Sequence, residues 1–169
     1  MPDLDLTEAR CRHAQKGTRV GLNVGIGSEL PAIVKMPNEI TLFSYSAATW
    51  NQHRIHYDRD HAVSEGYRDL VVQGSLQGEW LVELLGKWLG TWGRISRLRY
   101  RNVRVAYVNR SYTVRGVVTD IQESPGDGVY DIACDVWVVG PDGTTTSGSA
   151  ILEVPAVCID ISDQPTVAG

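Results

Sequence analysis

Ser75-Leu76-Gln77-Gly78-Glu79-Trp80-Leu81-Val82-Glu83-Leu84-Leu85-Gly86-Lys87-Trp88-Leu89 is the stretch whose reading decides the fold. Leu76, Trp80, Leu84 and Trp88 recur every fourth residue, and Leu81 and Leu85 widen the stripe, which is the spacing of one broad apolar helix face. Ser75, following Gly74, stands where a capping hydroxyl is favoured, and Glu79 lies near the first turn. Gly86, Gly90 and Gly93 weaken and then end the helix. A leucine and tryptophan stripe of this kind is read as core, not as a cofactor site.

C-terminal to the helix the period changes to two. Leu98 and Tyr100 alternate with arginines, then Val103, Val105 and Tyr107 alternate in the opposite phase, so a bulge is predicted at Arg101–Asn102. Tyr112, Val114 and Val118 open another strand, and Ser124-Pro125-Gly126-Asp127-Gly128 is a strong turn. Ile132, Cys134, Val136 and Val138 alternate again. Gly140-Pro141-Asp142-Gly143 is a hairpin signal, and the last strand runs to about Val154, before Pro155. One long helix followed by a meander of three or four antiparallel strands predicts an α+β domain in which the sheet wraps the helix, the hot-dog arrangement. Such a sheet leaves edges and a bare face, which predicts a homodimer or a larger homo-oligomer.

Upstream, Ile33 to Met36 is a short apolar segment, and the run from Ile40 to Ala48 reads as a short helix capped by Asn38. Ile40, Phe43 and Ala47 fall on one face of it, the expected buried face. Residues 49–70 read as irregular. The expected bounds are a weakly ordered segment at 1–19, one domain at 20–158 and a flexible tail at 159–169. A chain of 169 residues suits one core. No apolar run reaches the ~20 residues needed to cross a bilayer, and Met1 to Gly17 is polar, unlike a signal peptide. Cys11, Cys134 and Cys158 show neither metal spacing nor a disulfide framework, so a reduced cytoplasm is expected.

The net charge of −4 hides an asymmetry: seven arginines and no acidic residue lie between Arg94 and Arg115. A local basic face in an acidic chain suggests an anionic ligand, such as a nucleotide phosphate or an acidic carrier domain; a solvated strand face is the plain alternative. Nucleic acid is the poorer reading, because the whole chain is acidic and carries no nucleic-acid motif.

The chemistry-bearing residues crowd into Thr49-Trp50-Asn51-Gln52-His53-Arg54-Ile55-His56-Tyr57-Asp58. Two histidines three apart allow three readings. A metal site would need Cys or Glu ligands nearby, which are missing from this stretch. The histidines are otherwise structural, satisfied by backbone hydrogen bonds, or one is a general base near neutral pH. Composition and spacing leave these open.

The stretch Tyr45-Ser46-Ala47-Ala48-Thr49-Trp50-Asn51-Gln52-His53-Arg54-Ile55-His56-Tyr57-Asp58, with Glu65-Gly66-Tyr67 and Leu70-Val71-Val72-Gln73-Gly74 after it, resembles the MaoC-like hydratases and dehydratases. It is most similar to the branch that holds mesaconyl-CoA and itaconyl-CoA hydratases and 3-hydroxyacyl-thioester dehydratases. The resemblance implies a hot-dog domain over roughly residues 28–154 that adds water to, or removes it from, a 2-enoyl thioester. It makes His56 the base and puts Asn51, an amide, at the position where the wider family has an Asp that holds water. It makes the Gly74 amide a donor to the thioester oxygen. His53, Tyr57, Gln73 and Ser75 become substrate-binding candidates, with Gln73 where the family usually has His, and Arg101 and Arg104 become partners for coenzyme A phosphates. The substrate is an acyl-CoA or acyl-carrier-protein thioester, with no metal and no other cofactor. Two alternatives stand beside it: a non-catalytic hot-dog subunit that pairs with an active partner, kept alive by Asn51, and a hot-dog thioesterase, which would release thiol.

Overall fold

The computed structural model describes residues 21–124 and 128–161. The segment expected to be weakly ordered, 1–19, lies outside them, as does the tail beyond residue 161.

The strands are β1 (Leu22–Val24), β2 (Ile33–Lys35), β3 (Arg94–Asn102), β4 (Tyr112–Glu123), β5 (Val129–Gly140), β6 (Gly143–Pro155) and β7 (Ile159–Ile161). The helices are α1 (Glu39–Thr49), α2 (Arg59–Ser64) and α3 (Gly74–Leu89), with single 3-10 turns at Arg54–His56 and Ala156–Cys158. Five strands form one antiparallel sheet in the order β2-β4-β5-β6-β3, and β1 pairs in parallel with β7. The tail expected from residue 159 thus begins as a paired strand.

The expected stripe of α3 is the core face: Leu76, Trp80, Leu81, Leu84 and Leu85 are buried, Trp88 is half-buried, and the helix packs on β3, β4, β5 and β6. Inward residues of the sheet meet it, among them Val114, Val118, Ile132, Cys134, Val136, Leu152 and Val154. Placing this apolar area away from water, at roughly 25 cal/mol per Å², is the main force that joins helix and sheet. The start of α3 departs from expectation. The helix begins at Gly74, and Gln73 holds the cap position without a side-chain cap bond, so Ser75 lies inside the first turn and is exposed.

Three other expectations are corrected. Strand β3 is not the first strand of a meander; only β4, β5 and β6 form one, while β3 crosses to the far edge and pairs with β6. The register shift in β3 falls between Ile95 and Arg97, not at Arg101–Asn102. The phase slip after Asn102 marks the chain leaving the sheet: the Val103 and Arg104 amides both donate to the Thr145 carbonyl, and residues 106–108 then bond to 70–72 instead. In α1 the buried residues are Leu42 and Ser46, whereas Ile40 and Phe43 are 75% and 61% exposed. A polar tie sets that face, because the buried Gln73 Nε2 donates to the Leu42 carbonyl and to Ser46 Oγ. The Asn38 cap stands as expected, its side chain accepting from the Thr41 amide.

The stretch 49–70 is more regular than expected. Asp58 caps α2 by accepting from the His61 amide, and Arg54 pairs with Asp58. Among the described residues no helix is long and apolar enough to cross a membrane. Cys134 is a buried free thiol.

Candidate active site

Residues 70–72 are an extended bridge into α3. On one side the Val71 amide donates to the Ile55 carbonyl; on the other, the Val72 amide donates to Ala106 and the Val108 amide to Leu70. This clamps the 3-10 turn Arg54–His56 against the start of the central helix. His56 is therefore carried by a braced turn, and it is only 7% exposed.

His56 Nδ1 lies 2.7 Å from the Val71 carbonyl oxygen. A carbonyl can only accept, so Nδ1 carries the proton and Nε2 keeps its lone pair. Among the described residues Nε2 has no hydrogen-bond partner, and it is not sealed from solvent. Burial pushes the His56 pKa below the ordinary histidine value; the Val71 bond opposes this and the neighbouring His53 adds to it. The ring is thus neutral near pH 7, with its basic nitrogen available.

His56 borders a cleft of about 370 Å³ lined also by Val72, Gly74, Gln77, Asn102 and Arg104, among others. Gly74 opens α3, and the first amides of a helix have no partner within it. With no side chain capping them, they face an anion or a polarised oxygen favourably. A base and a set of amide donors therefore share one cleft. A Cβ at Gly74 would fall 2.2 Å from Asn102 Nδ2, so any larger residue there would have to push that side chain aside.

The structure gathers His56, Gly74 and Arg104 from the expected set, with the His53 ring 5.9 Å from that of His56. It does not bring the rest there. Asn51 and Tyr57 line a second hollow of about 300 Å³ beside Phe43 and Trp50. Asn51 Oδ1 accepts from the His53 amide at 3.2 Å, and the Tyr57 hydroxyl donates to the Gln52 carbonyl. Gln73, 1% exposed, ties α1 to α3 and lines neither space. Arg101 alternates with the inward Tyr100 and Asn102 and so sits on the outer face of β3. Gln77, Asn102 and Thr146 escaped the sequence reading: Gln77 falls within the apolar stripe, and Asn102 sits at the phase slip taken for a bulge.

Other chemistries lose ground here. Burial pushes the Cys134 thiol up to about 12, so it is no nucleophile near neutral pH. Among the described residues no three His, Cys, Asp or Glu side chains are grouped to hold a metal.

The chain is a hot-dog protein of the α+β class: it superposes on the (R)-hydratase from A. caviae involved in PHA biosynthesis with a TM-score of 0.70 at 17% identity, over 78% of this chain and 98% of that one. Residues 29–108 match the family described as hydroxyacyl-thioester dehydratase type 2, and the resemblance to the MaoC-like hydratases and dehydratases stands. A mesaconyl-C(4)-CoA hydratase from Chloroflexus aurantiacus is 52% identical over 50 residues, 29% of this chain and 18% of that protein. The mitochondrial hydroxyacyl-thioester dehydratase type 2 of Saccharomyces cerevisiae is 27% identical over 99 residues, 57% of this chain and 35% of that protein. The chain thus aligns with about a fifth to a third of the length of these curated relatives.

Proposed function

We propose that this chain is a hydro-lyase that reversibly adds water to a 2-enoyl thioester. The observation that carries the reading is the His56–Val71 contact, which leaves Nε2 as a neutral base in the cleft that also holds the uncapped start of α3. In hydration, Nε2 takes a proton from water as the water oxygen bonds to the β-carbon. Electrons move to the thioester oxygen, where the Gly74 amide stabilises the enolate. The imidazolium then returns the proton to the α-carbon, and dehydration runs the same steps backwards. No thioester bond breaks.

Asn51 is the expected water-orienting residue. Its Oδ1 accepts from the His53 amide and keeps a second lone pair for water, but it lines the neighbouring hollow and not the His56 cleft, which makes its share smaller than that of His56. Of the substrate-binding candidates Arg104 alone lines the cleft, which supports it as the partner of a coenzyme A or carrier phosphate. A homodimer belongs to this proposal, because Val103 and Val105 stand exposed at the cleft and β3 has an open edge. So does the cytoplasmic setting expected from the sequence. The test is to incubate purified chain with 2-enoyl-CoA thioesters and follow loss of the conjugated-thioester absorbance alongside thiol release. Absorbance loss without thiol is expected; thiol release would make the chain a thioesterase, and inert protein would favour the passive subunit.

A further inference from the structure

We infer that Asn102 is a second catalytic hydrogen-bond donor, which holds the thioester oxygen together with the Gly74 amide. The inference rests on the hydration reading above and names a residue that the sequence did not single out.

Asn102 is the last residue of β3, on the inward face, in register with Thr146 of β6. Its side-chain nitrogen packs against Gly74, 2.2 Å from where a Cβ would stand. Backbone dimensions then put Asn102 Nδ2 and the Gly74 nitrogen within about 5 Å of each other. Two donors at that spacing reach one oxygen at ordinary hydrogen-bond lengths. Both line the cleft that His56 borders.

The amide is also held in orientation. Thr146, fully buried, has its hydroxyl 2.8 Å from Asn102 Oδ1 and 2.9 Å from Gln77 Oε1. A hydroxyl has one proton. Given to Asn102 Oδ1, the nearer of the two, it leaves the Asn102 NH2 group on the side of Gly74 and the cleft. Among the described residues Asn102 Nδ2 has no hydrogen-bond partner. A neutral amide suits the task, because it strengthens its bond as charge grows on the oxygen and needs no proton transfer. Gly78, one turn along α3, accepts the Tyr100 ring against its Cα in the same way, so a pair of glycines four apart lets the end of β3 lie against the helix.

The experiment compares wild type, Asn102→Ala and Asn102→Asp, with His56→Ala as the inactive control. The probes are short, medium and long straight-chain 2-enoyl-CoA thioesters and a dicarboxylic one, and folding is checked by circular dichroism. Asn102→Ala should lower kcat roughly 10²–10³-fold with KM changed less than about threefold, the pattern of an interaction made in the transition state. Asn102→Asp keeps the shape and the Thr146 contact but has no proton to donate at neutral pH, so it should lose at least as much. Asn102→Asp with kcat within about threefold of wild type would overturn the assignment while the hydratase reading stands. So would a loss confined to KM. A folded wild type inert on every probe would overturn both.

Discussion

Replacing His56 by alanine separates chemistry from stability. General acid–base catalysis contributes about 10²–10⁴ in rate, which is about 3–5 kcal/mol of barrier. The folding cost is smaller. The ring makes one hydrogen bond, to the Val71 carbonyl, worth about 1 kcal/mol net. It also borders the cleft, so water enters the space left and re-satisfies that carbonyl. A total of about 1–2 kcal/mol follows, a melting temperature lower by roughly 2–8 °C in a chain of this size. A domain with the usual ~5–15 kcal/mol stays folded after that loss, so the rate effect cannot come from unfolding. Initial rates of enoyl-thioester hydration and a thermal melt on the same sample measure both. A His56→Ala variant within about tenfold of wild-type kcat would refute the assignment of the base, and a melt lowered by much more than 8 °C would show that the turn, not the ring, had been lost.

The pH profile should follow the lowered His56 pKa: kcat/KM stays level below the ordinary histidine value of about 6.5 and falls only in more acid solution. The unfolded chain takes up this proton before the folded one does, so the stability that neutral His56 contributes is present above pH ~6.5 and is lost as pH falls toward the folded value; urea titrations across that window read it directly. Gln73→Ala should cost about 2–4 kcal/mol in urea unfolding, since it strips the buried Leu42 carbonyl and Ser46 hydroxyl of their shared donor and leaves a void. Asn51→Ala should lower kcat by about tenfold or less; a loss as large as that of His56→Ala would mean that Asn51 turns into the His56 cleft during turnover.

The helix–sheet layout was legible because its signals are periodic and long. Leu76 to Trp88 can form only one apolar face, and Ile132 to Val138 can only alternate. The buried face of α1 was not legible, because Ile40 and Phe43 outweigh Leu42 and Ser46 in hydropathy while a distant glutamine decides the outcome. Strand order was hidden for a similar reason: which edge β3 joins depends on where the chain re-enters after α3, a long-range matter. The His loop drew notice through its crowding of polar residues. The cluster of Gln77, Asn102 and Thr146 did not, since a lone amide or hydroxyl within an apolar pattern carries no local signal, and the structure alone shows that they meet.

The bare start of α3 also has an energetic side. A Ser, Thr or Asp at position 73 would ordinarily satisfy the first amides of such a helix and add about 1 kcal/mol. This chain forgoes that gain and spends Gln73 on anchoring α1. The first amides of the central helix are therefore left for whatever occupies the cleft. On the proposed function, stability would become a function of ligand concentration: at a hundred times its dissociation constant, a thioester seated there would add about 2.7 kcal/mol.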